Sequence, residues 1–262
     1  MQVKSKSYFG AAIAALLISA VTYFVVPEQK TFTHVDYKQR SAAHFVIVSG
    51  HGSMLKGKYQ TSGKQSPTWP DSLKIYEGYS TKLLAYDLAS KLTIAGLDCT
   101  IINNYNTDMS LLERVQKVND LFKIDNRLVL ISLHHDAQDA RKGDYTDFEG
   151  LKGFTSTSTG GATGLTVFTS PGQTESDNFA DNYLLPAIKG FLPKLTFRNN
   201  GKSKEANFYV LSKSSCPAVL IEFYFMTTWS DCKVIADPTI RNNYTSAISS
   251  ACINYNNYLV SR

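Results

Sequence analysis

The chain has 262 residues, of which 43% are hydrophobic and 19% are charged; this excludes an extended disordered protein and allows a sizeable core. Its net charge of +5 is too small for a dedicated nucleic-acid binder, so we expect no nucleic-acid partner. The cysteines are too few for a disulfide scaffold and lack the CxxC spacing of a zinc ribbon. They are Cys99, Cys216, Cys232 and Cys252.

An apolar run of 19 residues occupies positions 8–26. As a helix, it would be about 28 Å long, close to the thickness of a bilayer core. Lys4 and Lys6 precede it and no acidic residue occurs before Glu28, so we expect a cytoplasmic tail and an exported remainder. We therefore predict a signal anchor at residues 1–27 that holds the protein in the inner membrane, with its catalytic part in the periplasm.

Two other interpretations of this N-terminal segment remain open. Small residues at 18–20 suit a cleaved signal peptide, although the apolar run continues beyond them. The many alanines make the helix weakly hydrophobic, so it could instead leave the membrane after export. Export to an oxidising space allows one or two disulfides, and four cysteines permit three pairings among which the sequence does not choose.

Residues 28–43 are polar and irregular, which is typical of a tether, and strands then alternate with helices. The predicted strands are 44–49, 98–102, 127–133, 165–169, 208–211 and 218–223. The predicted helices are 78–95, one opened by the capping box at 110–113, 174–191 with a kink or break at Pro186, and one that starts at 237–238. The segments 54–72 and 138–164 are predicted loops.

This alternation predicts a single α/β domain over residues 44–262, with a twisted, mostly parallel sheet and helices on both faces. The fold class is therefore α/β, preceded by the N-terminal transmembrane helix. In such sheets, binding sites form at the carboxyl ends of the strands. We expect the domain to be a monomer.

Four polar residues stand where such a site would form. His51 follows the first strand between two glycines, His134 follows the third strand, Glu77 precedes a helix, and Glu222 lies in an apolar strand. Two imidazoles and one carboxylate suit zinc with an open fourth position. Burial would raise the pKa of Glu222, as a proton carrier requires.

Each of these residues also has an ordinary structural interpretation. A histidine after a strand is often structural, and Glu77 could simply stabilise a helix N-terminus. Glu222 could form an internal salt bridge, because a buried unpaired acid is costly.

The order of the segments resembles the zinc-dependent N-acetylmuramoyl-L-alanine amidases of the Amidase_3 type over about residues 44–258. The matching segments are 46–52 (VIVSGHG), Glu77, 112–115 (LERV), Asn119, 130–134 (LISLH), 207–211 (NFYVL) and 217–222 (PAVLIE). The resemblance implies that His51, Glu77 and His134 bind Zn²⁺ and that Glu222 is the general acid/base. It also implies a peptidoglycan substrate and one α/β domain with a mostly parallel sheet.

The chain departs from the family pattern at several positions. Val48-Ser49 replace the usual Asp-Pro, and Tyr224 stands where the family favours glycine. The stretch between His51 and Glu77 is longer than usual, so an extended loop must bring Glu77 back to the site.

A second histidine follows His134 directly. Successive strand side chains point to opposite faces, so His134 and His135 cannot both reach one metal ion. The resemblance favours His134. His135 would then line the substrate groove or, with Asp136, support a ligand from behind. We expect neither His34 nor His44 in the site.

The leading hypothesis is zinc-dependent hydrolysis of the amide bond between N-acetylmuramic acid and L-alanine in peptidoglycan. The first alternative is a zinc peptidase or carboxypeptidase that acts on the stem peptide. The second is a membrane-tethered peptidoglycan-binding module. Bacterial cell-wall remodelling and phage lysis by an endolysin both fit the sequence. Segment 138–164 would either border the groove or form a surface loop.

Overall fold

A computed structural model describes residues 41–69, 72–103, 106–138 and 162–262, all of which fall within one unit spanning Arg40–Arg262. The predicted membrane segment 8–26 and His34 lie outside these ranges, as do most of the predicted tether 28–43 and of segment 138–164. No helix in the described ranges is long and apolar enough to cross a membrane.

Eight strands occur in the described residues, and six of them form one sheet in the order β4-β1-β5-β8-β6-β7. The pairs within β4-β1-β5-β8 are parallel, β6 runs antiparallel to β8, and β7 is parallel to β6. The mixed α/β domain with a mostly parallel sheet is therefore confirmed. The strands are β1 His44–Ser49, β2 Met54–Leu55, β3 Lys58–Tyr59, β4 Asp98–Ile101, β5 Leu128–Asp136, β6 Thr166–Thr169, β7 Lys204–Glu205 and β8 Ala218–Phe225.

Seven α-helices accompany the strands in the part of the chain that the structure describes. Ser110 accepts a hydrogen bond from the Glu113 amide at 3.2 Å, and Asp237 accepts from the first amides of the last helix, as their capping positions predict. The helices are α1 Glu77–Ile94, α2 Leu111–Ile124, α3 Thr174–Phe179, α4 Leu185–Phe191, α5 Tyr209–Ser212, α6 Trp229–Ala236 and α7 Pro238–Val260.

The central strands are buried on both faces, because alternate residues belong to two different cores. Phe45 and Ile47 of β1 pack in the larger core with α1 and α7, whereas Val46 and Val48 pack in the smaller core with α2. This arrangement explains why the sequence of β1 is a continuous apolar run rather than an alternation of apolar and polar residues. Parallel pairing of β1 with β5, up to Ser49 opposite Leu133, places the carboxyl ends of these strands side by side.

The predicted strand at 208–211 is wrong, because this segment forms α5. Val210 and Leu211 are buried while Phe208 and Tyr209 are exposed, so adjacent residues share a face, as in a helical turn. A short apolar run does not distinguish a strand from a buried helical turn by itself. Three further elements were not predicted from the sequence: α6 between β8 and α7, the short strand β7, and the hairpin β2-β3 inside the predicted loop 54–72.

The helix predicted at 174–191 is present, and instead of breaking at Pro186 it changes its hydrogen-bond pattern just before that residue. A π-helical turn at Ala180–Leu184 joins α3 to α4, and the Leu185 amide bonds to the Ala180 carbonyl. Proline has no N–H to donate within a helix, and the wider turn directly before it accommodates this loss.

Candidate active site

The four predicted site residues meet at one edge of the sheet. His51 follows β1, and Glu77 is the first residue of α1. His134 lies inside β5, which extends to Asp136, rather than after it. Glu222 lies in β8, where its Cα pairs in register with that of His134. Adjacent parallel strands thus place the histidine beside the acid.

Glu77 stands between the two histidines. Its Oε2 lies 3.2 Å from Nε2 of His51, and its Oε1 lies 3.0 Å from Nδ1 of His134. The histidine rings are perpendicular, with centroids 5.6 Å apart. One ligand atom from each of the three residues lies within 4.8 Å of the others. The structure therefore brings together the three residues predicted to hold a metal ion.

The long segment between His51 and Glu77 is bound back to the start of α1, as the spacing predicted. It includes the short hairpin β2-β3, and Tyr59 at its end donates to the Lys64 carbonyl at 2.8 Å. The Glu77 amide donates to the same carbonyl at 3.1 Å, and the Gly78 amide donates to the Tyr59 hydroxyl at 3.0 Å. These bonds fix Glu77 beside the strand ends.

Two glycines allow this close approach. A Cβ atom at Gly78 would lie 1.8 Å from the Gly52 carbonyl oxygen, so α1 could not start against the turn that carries His51. A Cβ at Gly50 would lie 2.6 Å from Nδ1 of His134 and 3.0 Å from Oε1 of Glu77. Glycine at both positions is therefore a condition of the site.

A buried polar network supports the turn at the end of β1, where His51 has a left-handed backbone (φ 59°). Arg114 is 3% exposed; it donates to the Ser49 carbonyl and, at 2.9 Å, to the Met109 carbonyl. The Asn103 side chain donates to the Ser49 carbonyl at 2.7 Å and accepts from the Ser49 amide. The matched segment 112–115 thus contributes a side chain that holds the strand end.

The surroundings of Glu77 and His134 shift the pKa of each side chain and so set its charge state. Burial alone would raise the pKa of Glu77, but hydrogen bonds from His134 and His51 outweigh it and hold that pKa well below the usual range. Burial lowers the pKa of His134. An ionised carboxylate beside a neutral imidazole is the state in which both can donate electron pairs to a metal ion.

The pKa of Glu222 shifts in the opposite direction to that of Glu77. Burial, with the negative charges of Glu77 and Asp136, raises its pKa well above the usual value, and Lys64 opposes the shift. Its Oε2 atom is buried and makes no hydrogen bond within the described residues. The internal salt bridge considered for Glu222 is not found among those residues. An unpartnered buried carboxyl beside the histidines is a candidate proton carrier.

His135 lies on the other face of β5, as strand geometry predicted. Its Nδ1 lies 2.7 Å from the Phe223 carbonyl, so it carries the proton, and its Nε2 accepts from the Ser80 hydroxyl at 2.9 Å. Its backbone amide donates to Oε1 of Glu77 at 3.3 Å. His135 therefore joins β5 to α1 and β8 and supports Glu77 through the backbone. It also lines the active-site cavity, which was the other predicted role. Asp136 is not its partner but lies 3.5 Å from Arg198.

His44 lies at the opposite end of β1, as expected, where it contacts Asp125 at 3.0 Å and Thr100 at 2.8 Å. Sequence reasoning missed Ser132, whose hydroxyl lies 3.1 Å from Nε2 of His134. The period of two along a strand could have revealed it, because residues 132 and 134 share a face.

A cavity of about 340 Å³ contains the four site residues. Lys64 and Asp136 supply further charges to its wall, and Phe208 and Tyr209 supply aromatic surface. A larger cavity of about 640 Å³ lies beside α3, but none of the four site residues lines it. The convergence of titratable groups therefore identifies the smaller cavity as the candidate active site.

The residues present fit a zinc ion. Two imidazole nitrogens and a carboxylate form the ligand set of catalytic zinc sites. Ligands about 2.1 Å from zinc stand about 3.4 Å apart in a tetrahedron, close to the 3.0 Å and 3.2 Å that separate the Glu77 oxygens from the histidine nitrogens. The open cavity leaves room for a substrate group at the fourth position.

Comparison with known proteins gives the same fold. The N-acetylmuramoyl-L-alanine amidase of Clostridium difficile 630 is 24% identical, with a TM-score of 0.60 over 82% of this chain and 97% of its own. AmiC2 of Nostoc punctiforme is 20% identical, with a TM-score of 0.58 over 86% and 100%. Ami1 of Mycobacterium smegmatis is 19% identical, with a TM-score of 0.60 over 86% and 100%.

Among curated protein sequences, none matches this chain. The family model described as Amidase_3, N-acetylmuramoyl-L-alanine amidase, matches residues 45–254, which is most of the chain. The match spans β1 through most of α7 and includes all four residues at the centre of the cavity. The chain therefore belongs to the N-acetylmuramoyl-L-alanine amidase family.

Proposed function

We propose that the chain is a zinc-dependent amidase that hydrolyses the bond between the lactyl group of N-acetylmuramic acid and L-alanine in peptidoglycan. The observation that carries this proposal is the convergence of His51, Glu77, His134 and Glu222 at one cavity in a domain of the amidase family. His51, Glu77 and His134 would hold the metal ion.

A zinc ion held by these residues would supply Lewis-acid chemistry, which activates water and polarises the carbonyl of the bond to be cleaved. Glu222 takes the proton from the attacking water and delivers it to the departing L-alanine nitrogen. Burial raises the pKa of Glu222 above that of an exposed carboxyl, which makes it a better proton acceptor for the first of these steps. Ser132 orients the His134 ring, and the His135 amide orients Glu77.

The test is the identity of the amino terminus that appears when purified peptidoglycan is digested. Release of L-alanine amino termini supports the amidase. A different new amino terminus would support the alternative zinc peptidase or carboxypeptidase. Binding to peptidoglycan with no new amino terminus would support the binding module.

We also propose that residues 1–27 target the protein to the inner membrane, that 28–43 form a tether, and that 44–262 form the catalytic domain, which acts in the periplasm. The 19-residue apolar run at 8–26, preceded by Lys4 and Lys6, supports this proposal, since peptidoglycan lies outside that membrane. Fractionation of cells before and after collapse of the membrane potential tests it. A membrane-bound protein in both states indicates a retained anchor, release only after collapse indicates an endolysin-type enzyme, and a soluble protein that starts near Val21 indicates cleavage.

A further inference from the structure

A second hollow, of about 330 Å³, adjoins the active-site cavity. We call it the charged hollow, because three of its six lining residues are ionisable. The six lining residues are Asp136, Thr166, Phe168, Arg198, Asn199 and Lys204.

The charged hollow is continuous with the active site through specific residues. Asp136 lines both cavities. Phe168, in the wall of the charged hollow, makes an edge-to-face contact at 5.0 Å with Phe208, in the wall of the active-site cavity. Thr166 is the register partner of Glu222 across the β6-β8 pair. A substrate bound at Glu222 therefore has a direct path into the charged hollow.

Arg198 is held in position but retains free donors. Its guanidinium lies over the Phe225 ring at 4.8 Å, and its backbone amide donates to the Leu165 carbonyl at 2.9 Å. Among the described residues, its one hydrogen-bonding contact is a long one, at 3.5 Å, to Oδ2 of Asp136, and its side chain is 42% exposed. A guanidinium has five N–H donors, so most remain available for a planar anion.

The second cation of the charged hollow, Lys204, has no ion pair among the residues described. Its ammonium group lies 6.0 Å from the centre of the Phe168 ring. With Arg198 and Asp136 it gives the charged hollow a net charge of +1. A fork of guanidinium donors beside an ammonium group matches a carboxylate.

We infer that the charged hollow binds a carboxylate on the second residue of the stem peptide; this inference rests on the proposed amidase function. Strands β8, β6 and β7 are neighbours, and Phe168 pairs with Lys204 on one side and with Leu220 on the other, so the Lys204 backbone lies about 12 Å from that of Glu222. Two peptide residues span about 7 Å, and a lysine side chain covers the remaining distance. Stem peptides carry glutamate at this position in either the acid or the amide form, so the charged hollow selects the acid form.

The test compares two soluble muropeptides that differ only in the second stem residue, which carries either a free carboxylate or a carboxamide. Both have their third residue attached, so that no other group differs. We expect the wild-type protein to show about a tenfold higher kcat/KM for the acid form, mainly through a lower KM. The double variant Arg198→Gln, Lys204→Gln should cleave both at nearly the same kcat/KM.

Lys202→Gln is the matched control, because Lys202 is an exposed lysine two residues from Lys204 and outside the charged hollow. It should keep the wild-type preference. Equal kcat/KM for the two substrates in the wild type, or an unchanged preference in the double variant, would overturn the inference while the amidase function stands. Failure of the wild type to release L-alanine from either substrate would instead refute the proposed function, and the inference with it.

Discussion

Gly50→Ala tests whether the space at the end of β1 is needed to hold the site together. The added Cβ would lie 2.6 Å from Nδ1 of His134, and ordinary contacts start near 3.4 Å, so the ring must move by about 0.8 Å. Oε1 of Glu77, at 3.0 Å, is displaced as well. We expect zinc affinity to fall about 10–100-fold and kcat about 100-fold, because displacements of this size have such effects in catalytic sites.

The assay measures zinc affinity by competition with a chromophoric chelator, and activity by release of amino groups from purified peptidoglycan. Gly190→Ala is the matched control, since a Cβ there meets nothing within 4 Å and Gly190 lies in α4, away from the site. The control should bind zinc and turn over as the wild type does. Wild-type zinc affinity and activity in Gly50→Ala would refute the requirement for space beside His134 and Glu77.

Three further predictions concern the rest of the domain. Hydrogen bonds from Arg127 hold the pKa of Asp125 below its usual range, so its stabilising effect is present above about pH 4 and is lost as the pH falls. Asp125→Asn should therefore lower the free energy of unfolding by about 1 kcal/mol at pH 7, and urea titrations should show this difference shrinking at pH 3. Arg114→Leu should cost about 2–4 kcal/mol, because it removes buried charge-assisted bonds to the Ser49 and Met109 carbonyls, and thermal unfolding measures the loss. All four cysteines are free and only that at position 99 is partly exposed, so one thiol per native chain should react rapidly with a maleimide and four after denaturation; mass spectrometry that found a disulfide would contradict this.

The site residues could be predicted from the sequence because each follows from strand geometry or from the family pattern. Strand ends meet at one edge of a parallel sheet, which placed His51 near His134. Alternation along a strand separated His134 from His135. The apolar context of Glu222 indicated its burial and hence the direction of its pKa shift.

Other features depend on contacts between distant segments, which no local pattern encodes. The sequence indicates only that Gly50 belongs to a turn. The structure shows that the absence of a side chain there makes room for His134. Lys64 lies in a loop whose hydrogen bonds to α1 place it beside Glu222. The charged hollow joins residues from β5, β6, β7 and the turn before β7, and its cations are 198 and 204, far from the motifs of the site.

The central claim is that Glu222 moves the proton in a site where His51, Glu77 and His134 hold zinc. The most direct measurement is the release of L-alanine amino termini from peptidoglycan by Glu222→Gln protein loaded with zinc, beside the wild type. We expect one zinc ion per chain in both proteins and a rate at least about 100-fold lower in the variant. Release by the zinc-loaded variant at the wild-type rate would contradict the account.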